Sequence, residues 1–506
     1  MNKFFPLLLS LFLIILFQGC SSSSGPGEDF VEASDEKQFV WNGLNHWYFW
    51  QDVVADLDDN RFSSQAEFHN YLNQFQDEEE LFESLLFRDD NFSWFIRDYV
   101  VHEEARLGTS KSFGFRFGLL RESPDNNRVL GYVRYVVPDS PADNAGLKRG
   151  DVFNGINGQT LTLNNYVDLL RNDTYTLSLA KVTDFTPSPR TYTLENLEEE
   201  ATVTAITLQE NPVHTSKVIE AGSSKVGYLM YNSFRFNFHE DLNERFREFK
   251  NEQVDELVID LRYNGGGTLL TSTLLASLVS GISPDEVFAE LIHNEKRSSR
   301  NSTYEFLNEV PVYDNSGNFL RTDEIHNLNM TRLYVLTSGN TASASETIIN
   351  GLLPFGVEVI LIGDVTAGKD EGSITVYDAP EVNFSPRNDQ QRSLINPTHM
   401  RAMQPIIFKI FNRDKADYPN GFAPNHLIRE FEYLEDLPEL GDPEEPLLAV
   451  ALNHIKGEGF PAKQAKMQFF DPGLILDSAE LAPLRDEIYI LPGELNGINS
   501  EFKIHD

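Results

Sequence analysis

From about residue 217 onward, short apolar runs alternate with helical stretches, and this alternation restricts the fold more than any other feature of the chain. The runs are Val226-Gly-Tyr-Leu-Met-Tyr231, Glu256-Leu-Val-Ile-Asp-Leu-Arg262, Leu333-Tyr-Val-Leu-Thr337 and Val357-Glu-Val-Ile-Leu-Ile-Gly363. The second is apolar through its middle instead of alternating, which is the pattern of a strand covered on both faces. Covering two faces takes helices, and residues 269–279 and 345–353 have the apolar content to be two of them. An α/β fold with a layered mixed sheet is expected, its chemistry on loops after strand ends. Residues 294–330 are polar and contain the turn-rich Asp314-Asn-Ser-Gly-Asn318, so they read as an insertion carrying a hairpin.

The chain has 506 residues, enough for further domains ahead of this core. Residues 39–107 read as an N-terminal helical segment. Trp41, Leu44, Trp47, Tyr48 and Trp50 gather near one face, and Phe68, Leu72, Phe75, Leu81 and Leu85 recur at helical spacing. Such a stripe is packing surface, not a ligand site. Residues 108–210 change to short strands: Phe113-Gly-Phe-Arg-Phe-Gly118, then Val129-Leu-Gly-Tyr-Val-Arg-Tyr-Val-Val137. In the stretch that follows, Ser140-Pro-Ala opens a short helix, Gly146 ends it, and Asn157-Gly158 makes a hairpin turn. Together these segments resemble a PDZ domain. The resemblance implies that a loop ahead of one strand captures a peptide's terminal carboxylate with backbone amides, while the strand edge pairs with the peptide. Residues 113–117 take that place, so Gly114, Phe115, Arg116 and Phe117 are the expected substrate-binding residues.

The first twenty residues have the make-up of an export signal, with Lys3, an apolar run over residues 7–17, and Phe17-Gln-Gly-Cys20. They resemble a bacterial lipoprotein signal, which implies lipidation at Cys20 and, over residues 21–38, a Ser/Gly-rich tether. Cys20 is the only cysteine, so no disulfide framework exists. The apolar run is short for a membrane-crossing helix. The expected location is the bacterial cell envelope, lipid-anchored as an outer-membrane lipoprotein, with the membrane contacted through the lipid alone. The formal net charge of −37 is spread along the chain and repels phosphate backbones, so nucleic acid is excluded as a partner.

Three segments could carry chemistry: Asp260-Leu-Arg-Tyr-Asn-Gly-Gly-Gly267, Thr341-Ala-Ser-Ala-Ser-Glu346, and Lys369 in Ala-Gly-Lys-Asp-Glu-Gly. A serine hydroxyl attacks at neutral pH only when a neighbouring base takes its proton, and a lysine can do so where its surroundings favour the neutral amine. Ser–Lys pairs are a known variant of the serine-hydrolase arrangement. The glycine triplet leaves backbone N–H groups free of side chains, and no Gly-Lys-Ser/Thr follows that would make it a phosphate loop.

In this order, and with Gly227-Tyr-Leu-Met-Tyr-Asn-Ser-Phe234, Gln404-Pro405 and Gly421-Phe-Ala-Pro-Asn425, these motifs resemble the C-terminal processing peptidases, or tail-specific proteases. The resemblance implies a ClpP/crotonase-like core over residues 211–455 with an inserted PDZ domain, and no metal or organic cofactor. It implies Ser343 as nucleophile, Lys369 as general base, and an oxyanion hole from the N–H of Ala344 and those of Gly265 and Gly266. Ser345, the rival nucleophile, would instead cap or pack the helix. Where many members have a glutamine that orients the lysine, this chain has Ser373, which is assigned that role here. Where some carry an acidic residue eleven places after the serine, it has Pro354. Asp370 and Glu371 would oppose a neutral lysine if they faced it, and are expected to point to solvent.

Histidines offer little competition: His102-Glu-Glu-Ala-Arg106 lacks the second histidine of a zinc-protease helix, and His399 stands alone. The expected function is a serine endopeptidase that cuts exported proteins near their C-termini, with the PDZ segment binding or gating the tail. The alternative is a catalytically inactive, PDZ-containing peptide-binding lipoprotein. Residues 456–506, a C-terminal extension with Ile488-Tyr-Ile-Leu-Pro-Gly493, have no assigned role.

Overall fold

The computed structural model describes residues 30–461, 474–481 and 488–491. The export signal, Cys20 and most of the tether lie outside the described residues. No helix among the described residues is long and apolar enough to cross a membrane.

The centre of the molecule is a six-stranded sheet in the order Val213–Ala221, Ser224–Tyr231, Glu256–Asp260, Arg332–Thr337, Glu358–Gly363, His426–Leu427. The first pair is antiparallel and the others are parallel. Both faces are covered, as the apolar runs predict. Leu229, Tyr231, Leu257, Ile259, Leu333 and Val335 point into a core shared with the helices Leu269–Ser280 and Ala344–Leu352. Tyr228, Met230, Val258, Tyr334, Leu336 and Ile362 point the other way, under the helix Pro446–Ile455. The helix Leu269–Ser280 has no polar face because it lies between two layers, with every residue from Leu269 to Val279 buried. Each fully buried leucine in it contributes about 1.5–3 kcal/mol.

On the far side of that helix is a second sheet, in the order Gly267–Thr268, Ile488–Tyr489, Glu371–Ser373, Ile406–Phe411, Val287–His293, Ser302–Glu305. The polar stretch after residue 294 therefore donates an edge strand. It then forms the expected hairpin, Glu309–Tyr313 against Phe319–Glu324, with the Asp314 carboxylate accepting from the N–H groups of Ser316 and Asn318.

The helices Asp35–Trp47, Gln65–Leu72, Glu78–Ser84 and Tyr99–Arg106 make up the N-terminal segment. Phe39, Val40, Leu44, Trp47 and Tyr48 join the main core, and a Cβ on Gly43 would stand 2.5 Å from Met403, so this segment packs closely on the α/β body.

The PDZ module is a sheet of Phe115–Arg121, Val129–Val136, Val152–Ile156, Thr174–Pro187 and Arg190–Thr204. Ser140 caps the short helix Pro141–Asn144 by accepting from Asp143 N–H, and the Asn157-Gly158 turn pairs Ile156 with Gln159. A two-stranded ribbon, Thr109–Ser112 against Ile206–Gln209, closes the module where it leaves and rejoins the rest. Strand structure begins at Phe115, so only Phe113 and Gly114 of the expected carboxylate loop are loop.

Candidate active site

Ser343 stands at the N-terminus of the helix Ala344–Leu352 with φ 64° and ψ −115°. A positive φ in a residue with a Cβ is strained by about 1–3 kcal/mol and persists only where neighbours enforce it. Here its carbonyl accepts from Glu346 and Thr347 N–H (2.9 and 2.8 Å), and its own N–H donates to Glu346 Oε2 (2.9 Å). The side chain is fully buried, and its Oγ has no hydrogen-bond partner among the described residues.

Glu346 organises the site, a role sequence reasoning did not assign to it. Besides Ser343 N–H, its carboxylate accepts from Lys369 N–H (2.9 Å), Gly368 N–H (2.7 Å) and Thr366 Oγ1 (2.5 Å). Burial raises its pKa, while these four donors pull the other way. One oxygen, Oε2, thus holds the main chains of both Ser343 and Lys369, so the two backbones are two hydrogen-bond lengths apart at most. The serine-to-glutamate spacing is that of a capping box, which is the sequence signal that could have found it. Gly368 completes the approach: its φ is +84°, and a Cβ there would stand 2.6 Å from the Pro419 carbonyl oxygen.

Lys369 is buried, with its Nζ 4.7 Å from the centroid of the Phe92 ring of the N-terminal segment. Asp370 and Glu371 do not point to solvent, contrary to expectation. Both are buried because the chain enters the second sheet at once, pairing Glu371 with Lys409 and Gly372 with Phe408. Burial raises the Asp370 pKa and pushes that of Glu371 up to about 7, against the pull of Lys409 at 3.4 Å.

Ser373 is buried, and its Oγ accepts from Gln404 Nε2 (2.9 Å). The Gln404 Oε1 accepts from Thr375 Oγ1 (2.9 Å), and Thr375 Oγ1 in turn from Arg106 Nη1 (2.6 Å). A glutamine therefore does stand behind the lysine loop, delivered by the strand Ala402–Gln404 and not by the residue four places after the lysine.

The glycine turn is tied to the head of the serine helix. The Asn264 carbonyl accepts from Ala342 N–H (3.2 Å) and Ser345 Oγ (2.9 Å), so the rival serine is engaged in packing. Gly266 N–H donates to Asn264 Oδ1 (2.9 Å) and is not open to a ligand here. The N–H groups of Ala344 and Gly265 hold no hydrogen bond among the described residues. Gly267, with φ +137°, lies so close to Phe234 that a Cβ would meet its carbonyl oxygen at 2.2 Å.

The four PDZ residues lie apart from this turn but are connected to it. Gly114 is fixed in a turn by Ser112 and Ser140; Phe115 and Phe117 belong to the module's apolar core. Arg116 reaches out of the module to the Tyr263 carbonyl, one residue before Asn264. Between the PDZ strands and the loops at Thr337–Asn340 and Asp364–Ala367 lies a cavity of about 1030 Å³. Of the histidines considered, His399 pairs with Asp378 (3.1 Å) beside Phe39, and His102 packs against Trp94. No cluster able to hold a metal is present among the described residues.

A layered α/β core with a glycine turn facing a helix-borne serine, joined to a PDZ module, is the architecture of a PDZ-containing serine peptidase. Residues 225–379 match the model of peptidase family S41, residues 35–94 that of the S41 N-terminal domain, and residues 132–179 that of a PDZ domain. The chain is thus similar to peptidase family S41 in its core and in its N-terminal segment. It is 28% identical over 237 residues to a carboxyl-terminal-processing protease of Picosynechococcus sp., covering 46% of this chain and 49% of that protein. It is 28% identical over 234 residues to the carboxy-terminal processing protease CtpB of Bacillus subtilis, covering 46% and 42%. The chain thus spans about half the length of such curated relatives. A crystal structure of a putative S41 protease from Bacteroides fragilis matches with a TM-score of 0.64 at 25% identity, over 85% of this chain and 99% of that one.

Proposed function

We propose that the chain is a serine endopeptidase that cleaves exported proteins near their C-termini through a Ser343–Lys369 dyad. The observation that carries this reading is the Glu346 clamp, which holds the backbones of a strained, buried serine and a buried lysine on one carboxylate oxygen. Lys369 Nζ takes the Ser343 Oγ proton as Oγ attacks the scissile carbonyl carbon. The oxyanion that forms accepts from Ala344 N–H, whose place at a helix start suits developing negative charge, and from Gly265 N–H in the glycine turn. Lys369 then gives its proton to the leaving amine as the tetrahedral intermediate collapses to an acyl-serine. Water, deprotonated by the same lysine, releases the acid product. Ser373, backed by Gln404, positions the lysine loop. The PDZ module binds the substrate tail, and Cys20 carries the lipid that fixes the enzyme in the cell envelope.

The test compares hydrolysis of an unstructured protein by the full chain and by the Ser343→Ala and Lys369→Ala variants. Loss in both variants is expected; equal hydrolysis by all three would end the assignment. Mass spectrometry of the products should place early cuts near the substrate's C-terminus.

A further inference from the structure

Two pieces of the C-terminal extension occupy places that a peptide substrate would need. The first is Leu474–Asp477, which adds an antiparallel edge strand to Phe115–Arg121, with Leu474 opposite Leu120 and Asp477 opposite Gly118. Ile475 and Leu476 pack against the apolar cluster that contains Phe117 and Leu170. Phe117 N–H donates to Ser478 Oγ (2.9 Å). The Asp477 carboxylate is fully buried and accepts from Arg116 Nε and Nη2 (2.8 and 2.7 Å) and from Arg134 Nη1 (2.5 Å). An added edge strand is how such a domain takes a peptide, and here a side-chain carboxylate on two arginines anchors it further.

The second piece is Ile488–Tyr489, which lies between the glycine strand and the lysine strand and pairs in parallel with both. Gly267 is opposite Ile488, Thr268 opposite Tyr489, and Ser373 also opposite Tyr489. Ile490 N–H donates to the Ser373 carbonyl (3.3 Å). Tyr489 and Ile490 are 1% exposed, and the Arg106 guanidinium sits 3.8 Å above the Tyr489 ring. The main chain there lies between the strand that follows Gly265 and Gly266 and the strand that follows Lys369. A peptide added as a strand at this place would occupy the gap between the two segments that bear the glycine turn and Lys369.

We propose that the extension is a built-in peptide ligand, filling the PDZ edge with Leu474–Asp477 and the slot beside the glycine turn with Ile488–Ile490, so that the resting protein is self-inhibited. This rests on the peptidase reading above. A protein whose tail pairs with Phe115–Arg121 and brings a carboxylate to Arg116 and Arg134 competes for the first site. Displacing the extension there frees the segment that closes the second. Because a substrate binds only the open fraction, its apparent affinity falls in proportion to how rarely the extension is out.

The test uses the full chain with Leu476→Asp or Ile490→Asp, each of which puts a charge into an apolar contact of the extension while leaving Ser343 and Lys369 intact. Against an unstructured protein, kcat/KM should rise about tenfold or more, the inverse of an open fraction of a tenth or less. A synthetic peptide of residues 474–491 added in trans should reverse the rise. Cleavage by both variants no faster than by the unaltered chain, with melting temperatures preserved, would overturn the proposal. A second measurement decides the case in which the variants fold poorly or no chain is active: hydrogen exchange of residues 474–491 in full-length Ser343→Ala. Adding saturating unstructured protein should speed their exchange, and unchanged protection with that protein bound would refute self-inhibition. Activity in the unaltered chain with no effect of the extension defeats this inference alone, whereas inactivity throughout with faster exchange defeats the peptidase reading alone.

Discussion

Glu371 gives a prediction whose size follows from the structure. Its carboxyl is buried under the N-terminal segment, faces Lys409 at 3.4 Å, and has its pKa pushed from 4.5 up to about 7. The folded state therefore holds this proton more tightly than the unfolded chain does. The stability it contributes is fully present below pH 4.5 and is lost as the pH rises through 7. At roughly 1.4 kcal/mol for each tenfold change in proton affinity, the rise corresponds to about 3 kcal/mol between pH 4 and pH 8. Glu371→Gln keeps the shape of the neutral acid and never ionises, so it should be more stable than the unaltered chain at pH 8, by up to about 3 kcal/mol, and equal to it at pH 4. Urea unfolding at several pH values, followed by tryptophan fluorescence, measures the difference directly. A constant offset between the two proteins across that range, or a gain that grows toward acid pH, would refute the argument.

Other consequences follow from single contacts. Glu346→Ala removes the acceptor shared by Ser343 and Lys369 and should lower kcat by about 100-fold, the usual effect of a misplacement near 1 Å; a kcat within a factor of two would deny the clamp its role. Gln404→Ala should lower kcat by about tenfold with KM little changed, and Ser373→Gln in that background should restore part of the loss by supplying the amide from the nearer strand. Gly267→Ala places a Cβ against the Phe234 carbonyl at a φ of +137° and should cost about 3 kcal/mol or more in thermal unfolding. Arg149→Met leaves the buried Glu430 and Glu445 short of a partner and should cost about 3–5 kcal/mol by the same assay.

The core was legible because its strands are apolar in a way only a covered sheet permits, and Val258 and Ile259 do face opposite cores. The PDZ turns were legible for the same local reason: Ser140 and Asn157-Gly158 are signals that act within a few residues. What sequence reasoning missed was set by distance along the chain. Gln404 reaches Ser373 only because Ile406–Phe411 pairs with Glu371–Ser373, a register no local pattern announces. Asp370 and Glu371 look like solvent-facing charges until that pairing buries them. The extension carries short apolar runs whose partners, Phe115–Arg121 and Gly267–Thr268, lie far back in the sequence.

An ionic network joins the PDZ module and the extension to the core. Arg116, Arg134 and Arg149 of the module and Arg262 of the core meet Asp260, Glu430, Glu445 and Asp477, all of them buried. Four guanidinium groups against four carboxylates balance in charge, and burial without such pairing would cost several kcal/mol per ion. Burial alone would raise the pKa values of Glu430 and Asp477, yet the arginines outweigh it and hold each at about 2, so both stay ionised. Pulling the module off the core as a unit would strip Arg149 of Glu430 and Glu445 together. Withdrawing the extension takes from this network only the bonds of Asp477, and leaves Arg116 on the Tyr263 carbonyl and Arg134 on Asn340 Oδ1 and the Tyr132 hydroxyl. The second route orphans fewer charges, and a carboxylate brought by an incoming peptide restores the balance. Tyr263 directly precedes Asn264 and the glycine turn, so the arginine that holds that carboxylate also holds the start of the turn. One side chain thus touches both the PDZ edge and the residue before the glycine turn, and Arg116→Lys, which cannot make the paired bonds, should separate them. The expected result is a kcat that no longer responds to Leu476→Asp; a response as large as in the unaltered chain would show that Arg116 is not the link.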